Sequence, residues 1–388
     1  MFSVLYKTFL HGRHSVAASY THKLLFLPNP SSLISFKFIS SAGNQYSFAV
    51  SYLINSCGLS PESALKASKH VRFESPEKPD AVIAFLNNHG FSKTQISEVV
   101  KKYPILLASD PEKTLLPKFE FCESKGVSRP LLVKIICFLP SILHRSIESQ
   151  WIPAFEILND LLKSDAKTLL AIIRYPGVLA HGPKTFLRPN INVLKENGVP
   201  ESNIATIVYH HPRIFFTKPD QFRETVEEVK RMGLEPRMFA FVAAVRVLRA
   251  MSKLTWKKKI DVYKKCGWSE ERIVMAFRTN PFLMMLSENK IMGMMDYFVN
   301  VMGLESSFIS ERPGLLVYSL KKRVVPRGSV AQVLLSKGLV KASCLSILIG
   351  SRENVFLEKF VYRYQEEAPQ LLKIYTDKLD FSRQLGNE

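Results

Sequence analysis

Four prolines stand 36 residues apart, and each opens nearly the same phrase. Tyr103-Pro104-Ile105-Leu106-Leu107 is followed by Leu139-Pro140-Ser141-Ile142-Leu143, Tyr175-Pro176-Gly177-Val178-Leu179 and His211-Pro212-Arg213-Ile214-Phe215. A second proline comes thirteen residues after each of the first three, at Pro117, Pro153 and Pro189. Two marks held in register through successive units require a tandem repeat, in which each unit buries its apolar stripe against its neighbours. Looser copies extend the series. Val245-Arg246-Val247-Leu248, Pro281-Phe282-Leu283-Met284 and Pro313-Gly314-Leu315-Leu316 follow, and Val71-Arg72-Phe73 precedes, giving eight copies and a frayed further element over residues 344–375.

The units are helical. Apolar residues fall at helical spacing, as in Ile96, Val99, Val100 and Tyr103. The motif proline ends that helix, because it lacks an N–H and its ring clashes with the preceding turn. The next proline starts another helix, with Leu115, Phe119 and Cys122 on one stripe. Units close on a glycine and an apolar residue, often followed by a capping serine, as in Gly90-Phe91-Ser92, Gly126-Val127-Ser128 and Gly267-Trp268-Ser269. The unit between Pro140 and Pro176 has Leu162 at the glycine's place, so its turn must differ. With hydrophobic residues at 46%, including 26 Phe and 13 Tyr, a continuous core is available, and the expected fold is an all-α solenoid over residues 42–375 with a tail at 376–388.

No acidic residue precedes Glu62, whereas Lys7, Arg13, Lys23 and Lys37 are spread among many serines. That composition fits an organellar transit peptide over residues 1–41, with the mitochondrion favoured and the chloroplast as the alternative. No stretch is long and apolar enough for a spanning helix, so no membrane partner is expected, and the protein is read as a monomer. Five scattered cysteines without paired spacing point to a reducing compartment and to no metal site.

The chain resembles the mitochondrial transcription termination factor (mTERF) family, nearest its plant organellar branch, over about residues 50–375. The resemblance rests on the unit of about 35 residues, the Pro-x-(Ile/Leu/Val)-Leu phrase and the closing glycine. It implies a curved superhelix of about eight three-helix repeats whose basic groove binds nucleic acid, with double-stranded DNA favoured over RNA, and a role in organelle transcription or RNA processing beside the proteins of those pathways. It implies no active site and no cofactor.

Charge supports such a partner independently. The chain carries 53 Lys and Arg against 34 Asp and Glu, a net charge of +19 that attracts polyanions. Cations recur at equivalent places: Arg72, Arg213 and Arg246 directly follow the motif Pro or Val, Lys101 and Arg278 precede it by three residues, and Lys102 and Arg174 by two. Arg249, the dense run Lys257, Lys258 and Lys259 beside Trp256, and Lys321, Lys322 and Arg323 with nearby Arg327 complete the candidate contacts. A cation near a helix C-terminus is also favoured by the helix dipole alone, and a tryptophan such as Trp256 is more often core than a stacking platform. His210-His211 lacks a third ligand, and no hydrolase, zincin or phosphate-loop motif occurs, so the chain is not read as an enzyme. A protein-binding scaffold in organelle ribosome or ribonucleoprotein assembly is the alternative function. A two-helix pentatricopeptide reader does not accommodate a proline in every leading helix.

Overall fold

The computed structural model describes residues 47–384, all of them helix, turn or loop with no strand. The expected transit segment, residues 1–41, lies outside the described residues. The chain divides into two compact units, residues 47–192 with 208–219 and residues 193–207 with 220–384, where the sequence pattern alone suggests one continuous array.

A full repeat has three parts. Lys93–Lys102 is a leading helix, begun by a reciprocal capping box between Ser92 and Gln95 and carrying Lys101 and Lys102 in its last turn. Tyr103 then adopts φ −146° and ψ 70°, out of the helical region that a following proline disfavours. The motif turn Pro104–Ala108 is a single 3-10 turn that buries Pro104, Leu106 and Leu107. Asp110 caps the next segment, accepting from the Lys113 N–H at 3.0 Å. This turn recurs after Pro140, Pro212, Pro281 and Pro313, and as a short α-turn, Gly177–Ala180, after Pro176.

The trailing helix begins earlier than its proline. Ahead of Pro117 the chain winds one π-turn, Pro111–Leu115, in which the Leu116 N–H reaches back five residues to the Pro111 carbonyl. A proline ring in an α-helix collides with the carbonyl four residues before it, and the wider turn moves that carbonyl away. The same π-turn precedes Pro153, Pro189 and Pro326. Pro326 stands thirteen residues after Pro313, so the paired prolines return near the end of the chain.

Two looser copies depart from the pattern. Val245 lies inside the unbroken helix Phe239–Ala250, because valine keeps its N–H and brings no ring to the preceding turn. Val71 is followed by irregular chain without a 3-10 turn. At the other end, the segment expected to be a tail from residue 376 instead continues the helix Leu371–Gln384.

Closing turns share one hydrogen-bond pattern. At Gly126, with φ +80°, the Gly126 N–H donates to the Glu123 carbonyl at 2.9 Å and the Val127 N–H to Cys122 at 3.0 Å. This pair of bonds satisfies the orphan carbonyls of the helix end and needs a left-handed residue. It recurs at Gly90, Gly198 and Gly267, and at Gly233 and Gly338, which the sequence reading passes over. In the unit without a glycine, Lys163 takes the left-handed slot at φ 51°, the single non-glycine positive φ among the described residues.

Candidate nucleic-acid interface

Motif turns, read across four successive repeats of the N-terminal unit, share an unusual chemistry. The nine residues from the third before to the fifth after each proline are 101–109, 137–145, 173–181 and 209–217. They contain Lys101, Lys102, Arg145, Arg174 and Arg213, four histidines, and no carboxylate. All five cations are exposed, and none joins an ion pair among the described residues. Several closing turns differ in pairing their cations. There Arg129 pairs with Glu123 at 2.9 Å, Lys163 with Asp160 at 3.0 Å, Lys195 with Glu201 at 3.2 Å and Lys264 with Glu270 at 2.5 Å.

Two of the predicted cations also work within the scaffold. Lys102 Nζ donates to the Cys137 carbonyl at 2.7 Å, and Arg174 Nη1 to the Tyr209 carbonyl at 3.1 Å, each spanning 35 residues to the next repeat. A cation two residues before one proline thus meets the carbonyl three residues before the next, at a helix C-terminus where the dipole favours it. The Arg174 guanidinium additionally lies 4.1 Å over the Tyr209 ring.

Rings stand between these charges. Phe138, two residues before Pro140, is 68% exposed, and His210 holds the equivalent position before Pro212. Tyr103 packs edge-on to His144 at 6.2 Å, Tyr175 lies 5.5 Å from Phe216, and His181 is 5.9 Å from Phe216. Partial burial raises the Tyr103 and Tyr175 hydroxyls above the ordinary tyrosine value, with Arg145 and Arg213 respectively pulling the other way. Burial, followed by the charge of Arg145, draws His181 below the ordinary histidine value. Arg145 therefore acts on rings from two neighbouring repeats.

The remaining candidates are placed less uniformly. Arg72 is exposed on the irregular stretch after Val71. In the C-terminal unit Arg246 and Arg249 lie half-buried on the continuous helix, not at a motif turn; Arg246 sits 4.9 Å over the Phe282 ring, and burial lowers its pKa. Arg278 is half-buried, donating from Nε to the Met232 carbonyl at 2.5 Å across the Gly233 turn. Lys257 and Lys258 are exposed, but Lys259 is buried on the same helix. Trp256 is 6% exposed and packs edge-on to Phe277 at 5.1 Å, a core residue. Lys321 and Lys322 are exposed on a π-turn, while Arg323 folds back over Tyr318 at 5.2 Å. Arg327, grouped with them by sequence, is 1% exposed and wholly internal.

Arg145, Phe138, His144 and His181 were missed by a search for cations at fixed offsets. The signal that finds them is the acid-free window around each motif proline.

Such a molecule is a tandem helical-repeat protein with a cationic, ring-studded edge on its N-terminal unit. Comparison with known proteins supplies the family: residues 83–293 and 241–357 match the mTERF model, and the chain belongs to the mTERF family. Transcription termination factor MTERF8, chloroplastic, of Arabidopsis thaliana is 22% identical over 231 residues, covering 59% of this chain and 46% of that protein. Transcription termination factor MTERF15, mitochondrial, of the same plant is 19% identical over 293 residues, covering 75% and 57% respectively. The chain thus spans about half the length of the curated relatives it matches.

Proposed function

We propose that this chain is a non-catalytic nucleic-acid-binding protein of organelle gene expression that grips phosphates along the motif-turn edge of its N-terminal unit. The observation that carries the reading is the contrast between two sets of cations. At four closing turns a cation pairs with a carboxylate, whereas at the motif turns five exposed cations in four repeats join no ion pair among the described residues and have no carboxylate within their own nine-residue windows. Exposed cations gathered at the motif turns of four successive repeats suit a polyanion laid along them, and release of its counterions supplies most of the affinity. Lys257, Lys258, Lys321 and Lys322 offer further phosphate contacts on the C-terminal unit, and Arg72 one on the N-terminal unit.

The relatives' names favour a role in transcription termination and an organellar address, one chloroplastic and one mitochondrial. The basic, acid-free N-terminus suits either organelle, and the Phe-rich run ending Lys37-Phe38-Ile39-Ser40-Ser41 favours the mitochondrion. Imaging a fluorescent fusion of residues 1–60 decides between the two organelles.

Binding of the full chain to a labelled 20-base-pair duplex and a 20-nucleotide single strand, by anisotropy at several salt concentrations, tests the phosphate grip. Each phosphate contact removed lowers the log–log salt slope by about 0.7–0.9. The double variant R145E/R213E should weaken binding and lower the slope by roughly 1.5. R129E, at a neutralised closing turn, should change neither. Unchanged affinity and slope in R145E/R213E would refute the assignment of this edge.

A further inference from the structure

We infer that the motif-turn edge of the N-terminal unit takes a single-stranded polynucleotide, its unpaired bases stacking on Phe138, His210 and the adjoining rings while the cations hold the phosphates. The inference rests on the phosphate-binding reading above and reverses the duplex preference that the family resemblance implies.

Its starting point is Phe138. A phenyl ring 68% exposed at the last position of the helix Arg129–Phe138 does nothing for the core, and the motif turn behind it already buries Pro140, Ile142 and Leu143. The ring stands in a file. Two residues before the motif proline, four successive repeats place Lys102, Phe138, Arg174 and His210, so cation and ring alternate. The inter-repeat hydrogen bonds give this alternation a geometry. Lys102 is tied to the carbonyl of Cys137, the residue next to Phe138; Arg174 is tied to the carbonyl of Tyr209, the residue next to His210. Each cation is therefore anchored on the backbone of the residue just before the ring of the following repeat, and Arg174 also lies over the Tyr209 ring, so the arrangement recurs: a positive head held on the helix end that carries the ring.

A nucleotide has the complementary pair of features, an anionic phosphate and a planar base one sugar apart. In a duplex the base faces are stacked inside and only phosphates and groove edges are offered, so a protruding phenyl ring reaches a base face only by wedging open a base step, at a cost in unstacking energy. In a single strand the faces are free, and stacking on aromatic side chains tolerates any base. The second line of rings supports the same ligand. It falls in two groups, Tyr103 with His144 at 6.2 Å and Tyr175, His181 and Phe216 at 5.5 to 6.3 Å, with Arg145 and Arg213 acting among them. Residue 177 is glycine where this line is tightest. A Cβ there would lie 2.4 Å from Tyr175 Cζ, so its absence lets that ring lie across the motif turn.

The test uses the full chain and four labelled probes, compared at matched salt over several salt concentrations: (dT)20, U20, a 20-unit abasic strand of equal charge and a 20-base-pair duplex. F138A should weaken both base-bearing strands about tenfold, the effect of losing one base–aromatic stack, while leaving the abasic strand, the duplex and the salt slope unchanged. F138W should restore binding, and its emission should be quenched by (dT)20. Because Phe138 is exposed, F138A should melt with the parent protein. If F138A leaves the single strands unaffected, or weakens all four probes equally, the stacking inference is wrong. If the parent protein prefers the duplex or binds the abasic strand as tightly as (dT)20, while R145E/R213E weakens both, the phosphate grip stands and the stacking inference falls. If the parent protein binds no probe at low salt, the phosphate-binding reading fails first.

Discussion

Removal of the Arg327 side chain should open the end of the C-terminal unit. Its guanidinium is 1% exposed, and Nη1 lies 3.3, 3.0 and 2.6 Å from the carbonyls of Leu348, Ile349 and Ser351. These carbonyls belong to the end of the helix Leu345–Gly350 and the residues after it. Nη2 pairs with Glu353 at 2.7 Å, and the guanidinium stands 4.4 Å over the Phe356 ring. R327A therefore strips charge-assisted donors from a buried helix terminus and leaves a void beside Phe356. Glu353 itself is more than half exposed, so water can replace its lost partner and the pair adds little. Two charge-assisted bonds at about 1.5–3 kcal/mol each, offset in part by no longer burying an arginine, leave a net destabilisation of about 3 kcal/mol. For a unit of this size that corresponds to a melting point lower by about 6–12 °C. Differential scanning calorimetry should show the drop in R327A and less than half recovery in R327K, whose compact ammonium cannot span the same acceptors. A shift under about 2 °C, or full rescue by lysine, would refute this account.

Glu353 should confer a small acid sensitivity on the same site, more through its bond from Tyr375 than through its ion pair with Arg327. Its burial acts to raise the carboxyl, but bonds from Tyr375 and Arg327 hold it below the ordinary value. The contribution is present above the unfolded value near about 4.3 and lost as pH falls through the folded one. The gap in melting temperature between the parent protein and E353Q should close between pH 6 and pH 3; a constant gap would contradict it. At the closing turns, G126A should cost about 1–2 kcal/mol, because alanine resists a φ of +80° even with open space around its Cβ, whereas K163G should gain about 0.5 kcal/mol; chemical denaturation of both checks the sign. Trp256→Ala should cost about 3–5 kcal/mol as a cavity opens beside Phe277, with the salt slope of nucleic-acid binding unchanged in whatever fraction stays folded.

The repeat was legible because proline acts locally. Pro104, Pro140, Pro176, Pro212, Pro281 and Pro313 each end a helix by their own missing N–H, whatever the rest of the chain does. Where the motif lacks its proline no turn forms: the sequence likeness around Val245 is real, but likeness without the ring does not break a helix. The π-turns were invisible because they are the backbone's response to a proline six residues into a helix, a compromise that no single residue type announces. The candidate interface was half legible. Lys101, Lys102, Arg174 and Arg213 lie exposed at the motif turns as their period suggests. Arg246, Arg278 and Lys259 share their residue type but not their surroundings, because burial depends on neighbours distant in sequence. Arg327 shows the limit most clearly, since a basic run reads as surface until a helix end is found stacked over one member of it.

The bonds from Lys102 to Cys137 and from Arg174 to Tyr209 give the repeat array a mechanical property. An ammonium has three hydrogens and a guanidinium five, so each cation can keep its neighbour's carbonyl and still hold a phosphate. A strand laid along the edge would then act as a splint, fastening each repeat to the next through residues already joined. Occupancy should stiffen the array lengthwise, slowing both hydrogen exchange at the leading-helix ends and proteolysis between repeats, without any change of shape.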